Sequence, residues 1–237
     1  TSGKNTRQST PVLINYQITI HNTFSFADNI SAIELGYYHS ALITNEGELF
    51  TWGRNEYGQL GDGTLVNQML PVNITGKFSF TTDEKIISVA LGYNHSAVLT
   101  SFGRLFTWGR NDSGQLGDGS TNDSLIPIDI TAKFNLPEDE KIMSVKLGSS
   151  QSAVVTSMGR IFTWGGNVLG QSGDGTYTNR LLPLDITGKF NLNSGEKLID
   201  ISLNSFHVIA LTSSGRVFTW GKNESGQLGD GTTVPQN

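Results

Sequence analysis

Four tryptophans, Trp52, Trp108, Trp164 and Trp220, each stand 56 residues after the last, inside the near-identical words TWGRNEYGQLGDG, TWGRNDSGQLGDG, TWGGNVLGQSGDG and TWGKNESGQLGDG. A spacing held without insertion or deletion means that one supersecondary unit recurs and buries its apolar surface only by stacking on its neighbours. The chain is therefore read as a tandem array.

Within a copy the pattern gives four strands. Ile86 to Leu91, Ser96 to Thr100 and Arg104 to Trp108 supply the first three in the second copy, with glycine-bearing turns between them. In RLFTW, Leu105 and Thr107 face one way while Phe106 and Trp108 face the other, so both faces of the sheet bury side chains. The fourth strand ends as LPVNI, IPIDI or LPLDI at Leu70, Ile126 and Leu182. A TGKF or TAKF segment then folds over the rim.

The array is expected to occupy residues 30–74, 86–130, 142–186 and 198–237 of a single domain. Thr10 to Ile20 (TPVLINYQITI) matches the fourth-strand ends, so it is expected to act as a latch strand that completes a blade shared between the two termini. The excess around Tyr16 to His21 is the one insertion. The chain does not open on methionine, which suits a processed or excised piece.

Composition narrows the chemistry. The formal net charge of −5, with Lys and Arg scattered, argues against a phosphate-binding surface, so no nucleic acid is expected. The chain has no cysteine, which excludes disulfides and thiolate metal sites. No apolar run approaches the roughly 18 residues of a membrane span. No catalytic Ser, His and acid set stands apart from the repeat, no phosphate loop ends in Gly-Lys-Ser or Gly-Lys-Thr, and no cofactor is implied.

His39, His95 and His207 recur at one position, with Gln151 in the third copy. Ligands one repeat apart do not converge readily, so these are read as structural partners of a turn rather than a metal ring. Asp62, Asp118, Asp174 and Asp230, with Asn55, Asn111, Asn167 and Asn223, lack the alternating oxygens of a calcium loop and are read as Asx turns. Together with the four tryptophans they form the framework. Gln59, Gln115, Gln171 and Gln227 are expected to cross-link loops through their amides.

These GQLGDG words, with LGYYHSALIT and LGYNHSAVLT upstream, resemble the regulator of chromosome condensation repeat family over about Ile30 to Thr232. The resemblance implies an all-β fold, a β-propeller of four-stranded blades, commonly seven in number. This chain holds about four. Three arrangements follow: a piece of a longer chain, two chains joined through split blades into an eight-bladed ring, or four blades closing alone. An open half ring would leave an unpaired strand edge and an apolar blade face in water, so either self-association through the split blades or missing sequence is expected.

Function is read where the copies disagree. Tyr37-Tyr38, Tyr93-Asn94, Ser149-Ser150 and Ser205-Phe206 occupy one turn on one face of the ring, and exposed aromatics there suit a protein contact. The bland reading is that they only pack on neighbouring turns. A second variable set is Glu56-Tyr57, Asp112-Ser113, Val168-Leu169 and Glu224-Ser225, and Ser172 replaces a leucine in the third copy. The leading expectation is a non-enzymatic scaffold for a protein partner. The resemblance also implies guanine-nucleotide exchange on a small GTPase, the activity of the family's namesake, although no blade carries an inserted loop for it. Inhibition of a secreted enzyme is a third class. The family's ultraviolet receptors cluster tryptophans on a ring face, whereas all four here sit in the framework.

Overall fold

In the computed structural model, residues 30–237 are described, together with the backbone of two short strands, Ile18–Ile20 and Asn22–Phe24. Those two strands pair antiparallel with each other. Thr10 to Gln17 and half of the insertion (Tyr16, Gln17 and His21) lie outside the described residues; of the latch expected over Thr10 to Ile20 only Ile18–Ile20 is described, and it forms a two-stranded sheet with Asn22–Phe24.

The repeat becomes a row of antiparallel sheets, the blades of a β-propeller. Blade 1 runs Ile30–Leu35, His39–Thr44, Leu49–Gly53 and Gln68–Asn73, in that order across the sheet. Blade 2 uses Ile86–Leu91, His95–Thr100, Leu105–Gly109 and Ser124–Asp129. Blade 3 uses Ile142–Leu147, Gln151–Thr156, Ile161–Gly165 and Arg180–Asp185. Blade 4 has three strands, Leu198–Leu203, His207–Thr212 and Val217–Gly221. Its fourth position is opened by Gln236, which exchanges hydrogen bonds with Gly221 in the register that Gln68 keeps with Gly53.

First strands of adjacent blades pack together, so they form the inner side and the fourth strands the outer rim. The tight register follows from alternation: slipping a strand by one residue would turn its buried set to the wrong face. Blade faces meet through three apolar clusters. Ala41, Ile43 and Leu49 of blade 1 pack on Val89, Leu91 and Trp108 of blade 2, and the equivalents recur twice more.

After each complete blade a short 3-10 turn, at Thr75–Lys77, Thr131–Phe134 or Thr187–Lys189, lays an aromatic ring on the next blade. Phe78, Phe134 and Phe190 stand edge-on to Trp108, Trp164 and Trp220 at centroid distances of 5.8, 5.5 and 5.6 Å. The TGKF words are therefore lids over the tryptophans.

The GDG turns are held from within. Asp62 accepts from the Thr64 amide at 2.8 Å and from Asn55 Nδ2 at 3.1 Å, and Asn55 Oδ1 accepts from the Leu60 amide at 2.9 Å. The same turn recurs at Asp118, Asp174 and Asp230, where Ser120, Thr176 and Thr232 supply the amide. Burial alone would raise the Asp174 carboxyl, yet bonds from Thr176 and the Arg180 guanidinium hold it below the usual carboxylate range. Asn and Asp beside these glycines thus work as Asx turns.

Gly117 shows why the glycine is needed. Its φ is +75° and a Cβ there would lie 2.7 Å from Trp164 Nε1. Gly117→Ala is expected to destabilise by at least about 1–2 kcal/mol, from the left-handed backbone alone, measured by urea unfolding against Gly188→Ala, where a Cβ meets nothing within 4 Å.

Candidate functional site

Each blade's first and second strands are joined by a turn at the same end of the propeller. Those turns carry Tyr37, Tyr93, Ser149 and Ser205, and all four line one axial cleft of about 220 Å³ floored by Gly36, Gly92, Gly148 and Asn204. The glycines allow close approach: a Cβ on Gly92 would lie 2.3 Å from the His95 ring and 2.6 Å from the Gly148 carbonyl oxygen. The expected variable turns therefore do share a face.

On blades 1 and 2 the face is aromatic. Tyr37 stacks on Tyr93 with ring centroids 4.2 Å apart, and Tyr38 stands edge-on to both, at 4.5 Å from Tyr37 and 5.8 Å from Tyr93. The guanidinium of Arg54 lies 5.1 Å from the centre of Tyr38 and 6.0 Å from that of Tyr57, and Arg110 lies 4.8 Å from Tyr57. Four of the chain's six tyrosines thus gather in one patch. The two variable segments of the repeat, separate in sequence, form one surface.

Charge in the patch is largely internal. Arg54 pairs with Glu56 and Arg110 with Asp112, each two residues on. The hydrogen bond to Glu56 raises the Arg54 guanidinium and lowers the Glu56 carboxyl, while a hydrogen bond with Tyr38 raises the Tyr93 phenol. What the surface offers is ring faces and guanidinium planes.

The other expected contact residues differ. Asn94 is buried, with its Oδ1 accepting from Gln59 Nε2 at 3.3 Å, so its side chain braces the turn instead of facing solvent. Ser149 and Ser150 are half-buried in a blade that also has Gly166 where Arg54 and Arg110 stand, so the face is shallow there. On blade 4, Phe206 is exposed and carries the Lys222 ammonium 5.9 Å from its centre. Sequence reading passed over Arg54, Arg110 and Lys222, whose signal was a position reading Arg, Arg, Gly, Lys across the copies.

The framework histidines lie behind this face. His39 Nε2 meets Ser96 Oγ at 2.9 Å and His95 Nε2 meets Ser152 Oγ at 3.1 Å, each across a blade junction. Burial drives the His39 imidazole down to about 4 and that of His95 to about 3. In the third junction Gln151 faces Val208, the position of those serines, and its buried amide has no partner among the described residues. His207 is half-buried. Among the described residues no three His, Asp or Glu side chains gather to hold a metal ion, and no helix is long and apolar enough to cross a membrane.

A second opening, of about 700 Å³, lies at the opposite end of the strands between blades 2 and 3. It is lined by Phe102, Arg104, Asp129, Leu136, Pro137 and Lys141. Its opening has a local cause. Asn135 takes a left-handed conformation, φ 47°, and Arg160 makes no bond to its carbonyl, whereas Arg104 and Arg216 bind the equivalent Ser79 and Asn191 carbonyls at 2.9 Å.

Comparison with known proteins places this geometry. A family model described as an RCC1-like domain matches residues 1–237. The chain is 32% identical over 208 residues to the ultraviolet-B receptor UVR8 of Arabidopsis thaliana, covering 88% of this chain and 44% of that protein. It is also 32% identical over 203 residues to the human E3 ubiquitin-protein ligase HERC2, covering 85% of this chain and 4% of that one. Human WBSCR16 superposes with a TM-score of 0.76 at 25% identity, over 91% of this chain and 53% of that chain. Yeast Prp20p, solved in a study of its binding to Gsp1p and histones, superposes at 0.61 and 25% identity, over 75% of this chain and 42% of that one. The chain spans less than half the length of UVR8. On the matched family model, the 32% identities and the blade geometry together, the chain belongs to the RCC1-like family of β-propellers.

Proposed function

We propose that the chain is a non-enzymatic protein-binding module whose docking surface is the Tyr37, Tyr38, Tyr57 and Tyr93 patch with Arg54 and Arg110. The observation that carries it is the stack itself: aromatic rings held rigidly by packing on one another, with little rotamer freedom left to lose on binding. Tyr and Arg are the side chains most often found at binding hot spots. Arginines whose charge is met by Glu56 and Asp112 favour a partner that brings planar or aliphatic groups over one that brings only acidic residues.

The test is affinity for a partner isolated with the intact chain. Replacing Tyr37, Tyr38 and Tyr93 together by alanine is expected to weaken that binding by at least about thirtyfold, a hot-spot loss of 2 kcal/mol or more, without lowering the melting temperature. Unchanged affinity would remove the patch from the interface.

Guanine-nucleotide exchange is the second reading, by likeness to Prp20p, whose structure was studied with its binding to Gsp1p. Capture of a small GTPase by the chain in its nucleotide-free form only would favour exchange over the scaffold.

A further inference from the structure

Each internal junction is closed by the same donor. The indole N–H of the later blade donates to the main-chain carbonyl of a glutamine on the earlier blade: Trp108 to Gln59, Trp164 to Gln115 and Trp220 to Gln171, all at 2.9 Å. In the first two junctions a serine of the later blade also donates to that carbonyl, Ser96 to Gln59 and Ser152 to Gln115, at 2.8 Å. The same hydroxyls meet His39 at 2.9 Å and His95 at 3.1 Å. One hydroxyl thus holds two parts of the earlier blade, its second strand and its glutamine loop.

The third junction keeps the indole bond and lacks the hydroxyl. Val208 stands where Ser96 and Ser152 stand, Gln151 where His39 and His95 stand, and Ser172, beside the Gln171 carbonyl, where Leu60 and Leu116 stand. All three are buried. Both amide atoms of Gln151 and the Ser172 hydroxyl have no hydrogen-bond partner among the described residues, which include blades 3 and 4 throughout. Of the matching side chains in the first two junctions, only the histidine Nδ1 atoms are unmet.

Room differs as well. A Cβ on Gly36 or Gly92 would lie 2.5 or 2.3 Å from Cε1 of His39 or His95, so each imidazole is pressed against its glycine. At Gly148 the atoms nearest such a Cβ belong to Asn204 and Leu203, and Gln151 is not among them. Gln, Val and Ser are together a smaller set than His, Ser and Leu. The third junction therefore combines three unmet polar atoms with looser packing, the setting in which buried water is held, typically by about three hydrogen bonds.

We infer that the third junction binds one internal water molecule, which bridges the Gln151 amide to the Ser172 hydroxyl and the Gln171 carbonyl. It does the work of the missing serine hydroxyl, accepting on one side and donating on the other. The Gln171 oxygen has the capacity, since among the described residues the Trp220 indole is its one donor where the Gln59 and Gln115 oxygens have two. An amide N–H among the partners suits water over a metal cation, which takes only lone pairs. Gln151 directly follows Ser149-Ser150, so the water anchors the strand on which that turn of the variable face stands. The inference does not depend on the tyrosine patch.

A crystal structure of the native chain, fine enough to show ordered water, tests it. The expected result is one water within hydrogen-bonding distance of the Gln151 amide and of Ser172 Oγ or the Gln171 oxygen. A Gln151 amide met by a protein group, or no ordered water between these groups, overturns it. A second measurement works in solution, where magnetic relaxation dispersion of the water oxygen counts the molecules held for longer than the protein takes to tumble. Ser172→Leu, the residue of the other three copies, fills the site and is expected to lower that count by one. Equal counts in the native chain and a folded Ser172→Leu chain overturn the inference. Where that variant fails to fold, the native crystal still decides.

Discussion

Trp164→Ala is expected to cost about 3–5 kcal/mol, the range for truncating a fully buried large side chain. Trp164 is completely buried in the second junction, stands edge-on to Phe134 and donates to the Gln115 carbonyl at 2.9 Å. The loss is mostly cavity. Ser152 Oγ still reaches the same carbonyl at 2.8 Å, so that acceptor is not stranded. Because each blade leans on the next, the damage spreads beyond blade 3, and unfolding by urea should lose amplitude or split into two steps. Trp164→Phe should recover part of the stability, since a ring remains to fill the site. A Trp164→Ala chain with an unchanged urea midpoint would contradict the junction described above.

Acid should unfold this protein earlier than its carboxylates alone would. His39 and His95 are neutral in the fold, with imidazoles at about 4 and about 3, while an unfolded chain protonates them near 6.5. Between those values the unfolded chain binds more protons, so stability falls as pH falls and is flat, for these groups, above about pH 7. The pair is worth about 4 kcal/mol of loss between pH 7 and pH 5. The third repeat already carries the control, since Gln151 occupies the same place without titrating. His39→Gln/His95→Gln should start less stable at pH 7, having changed the bonds to Ser96 and Ser152. It should then lose much less on going to pH 5. Equal losses in the two proteins would mean that the imidazoles titrate in the fold as they do in the unfolded chain.

The blades were legible because three signals coincide: alternation within strands, glycines at turns that need positive φ, and a spacing that never varies. The strands expected at Ile86 to Leu91, Ser96 to Thr100 and Arg104 to Trp108 are found within a residue of those bounds. The roles of the Asp and Asn pairs were legible too, since an Asx turn is local chemistry. The junction was not. Its acceptor is the main-chain oxygen of Gln59, Gln115 or Gln171, a group that every residue carries and no sequence displays. Expecting the glutamine amide to do the cross-linking was only half the account: Gln59 Nε2 reaches Asn94, while its Oε1 accepts from its own turn at Tyr57.

The candidate site was legible as a face and not as a patch. Alternation puts the four variable turns at one end of the blades, but only the folded register sets Arg54 over Tyr38 and Arg110 over Tyr57. Asn94 shows the limit from the other side. It varies like a contact residue and is buried like a framework one.

The exchange of Ser for Val at position 208 bears on how such a chain avoids assembling in the wrong order. Four near-identical blades offer one another interchangeable docking faces while the polypeptide is still folding, a known source of misassembly in repeat proteins. Set behind blade 1 or blade 2, the fourth blade would leave His39 or His95 facing Val208, with a buried imidazole nitrogen lacking its acceptor at a cost of about 1–3 kcal/mol. Behind blade 3 it meets Gln151, which has already given up the histidine. Val208 thus penalises a fourth blade misplaced behind blade 1 or blade 2, but its native place carries a cost of the same kind in the Gln151 amide, which no protein group meets among the described residues, so the exchange alone does not set the order.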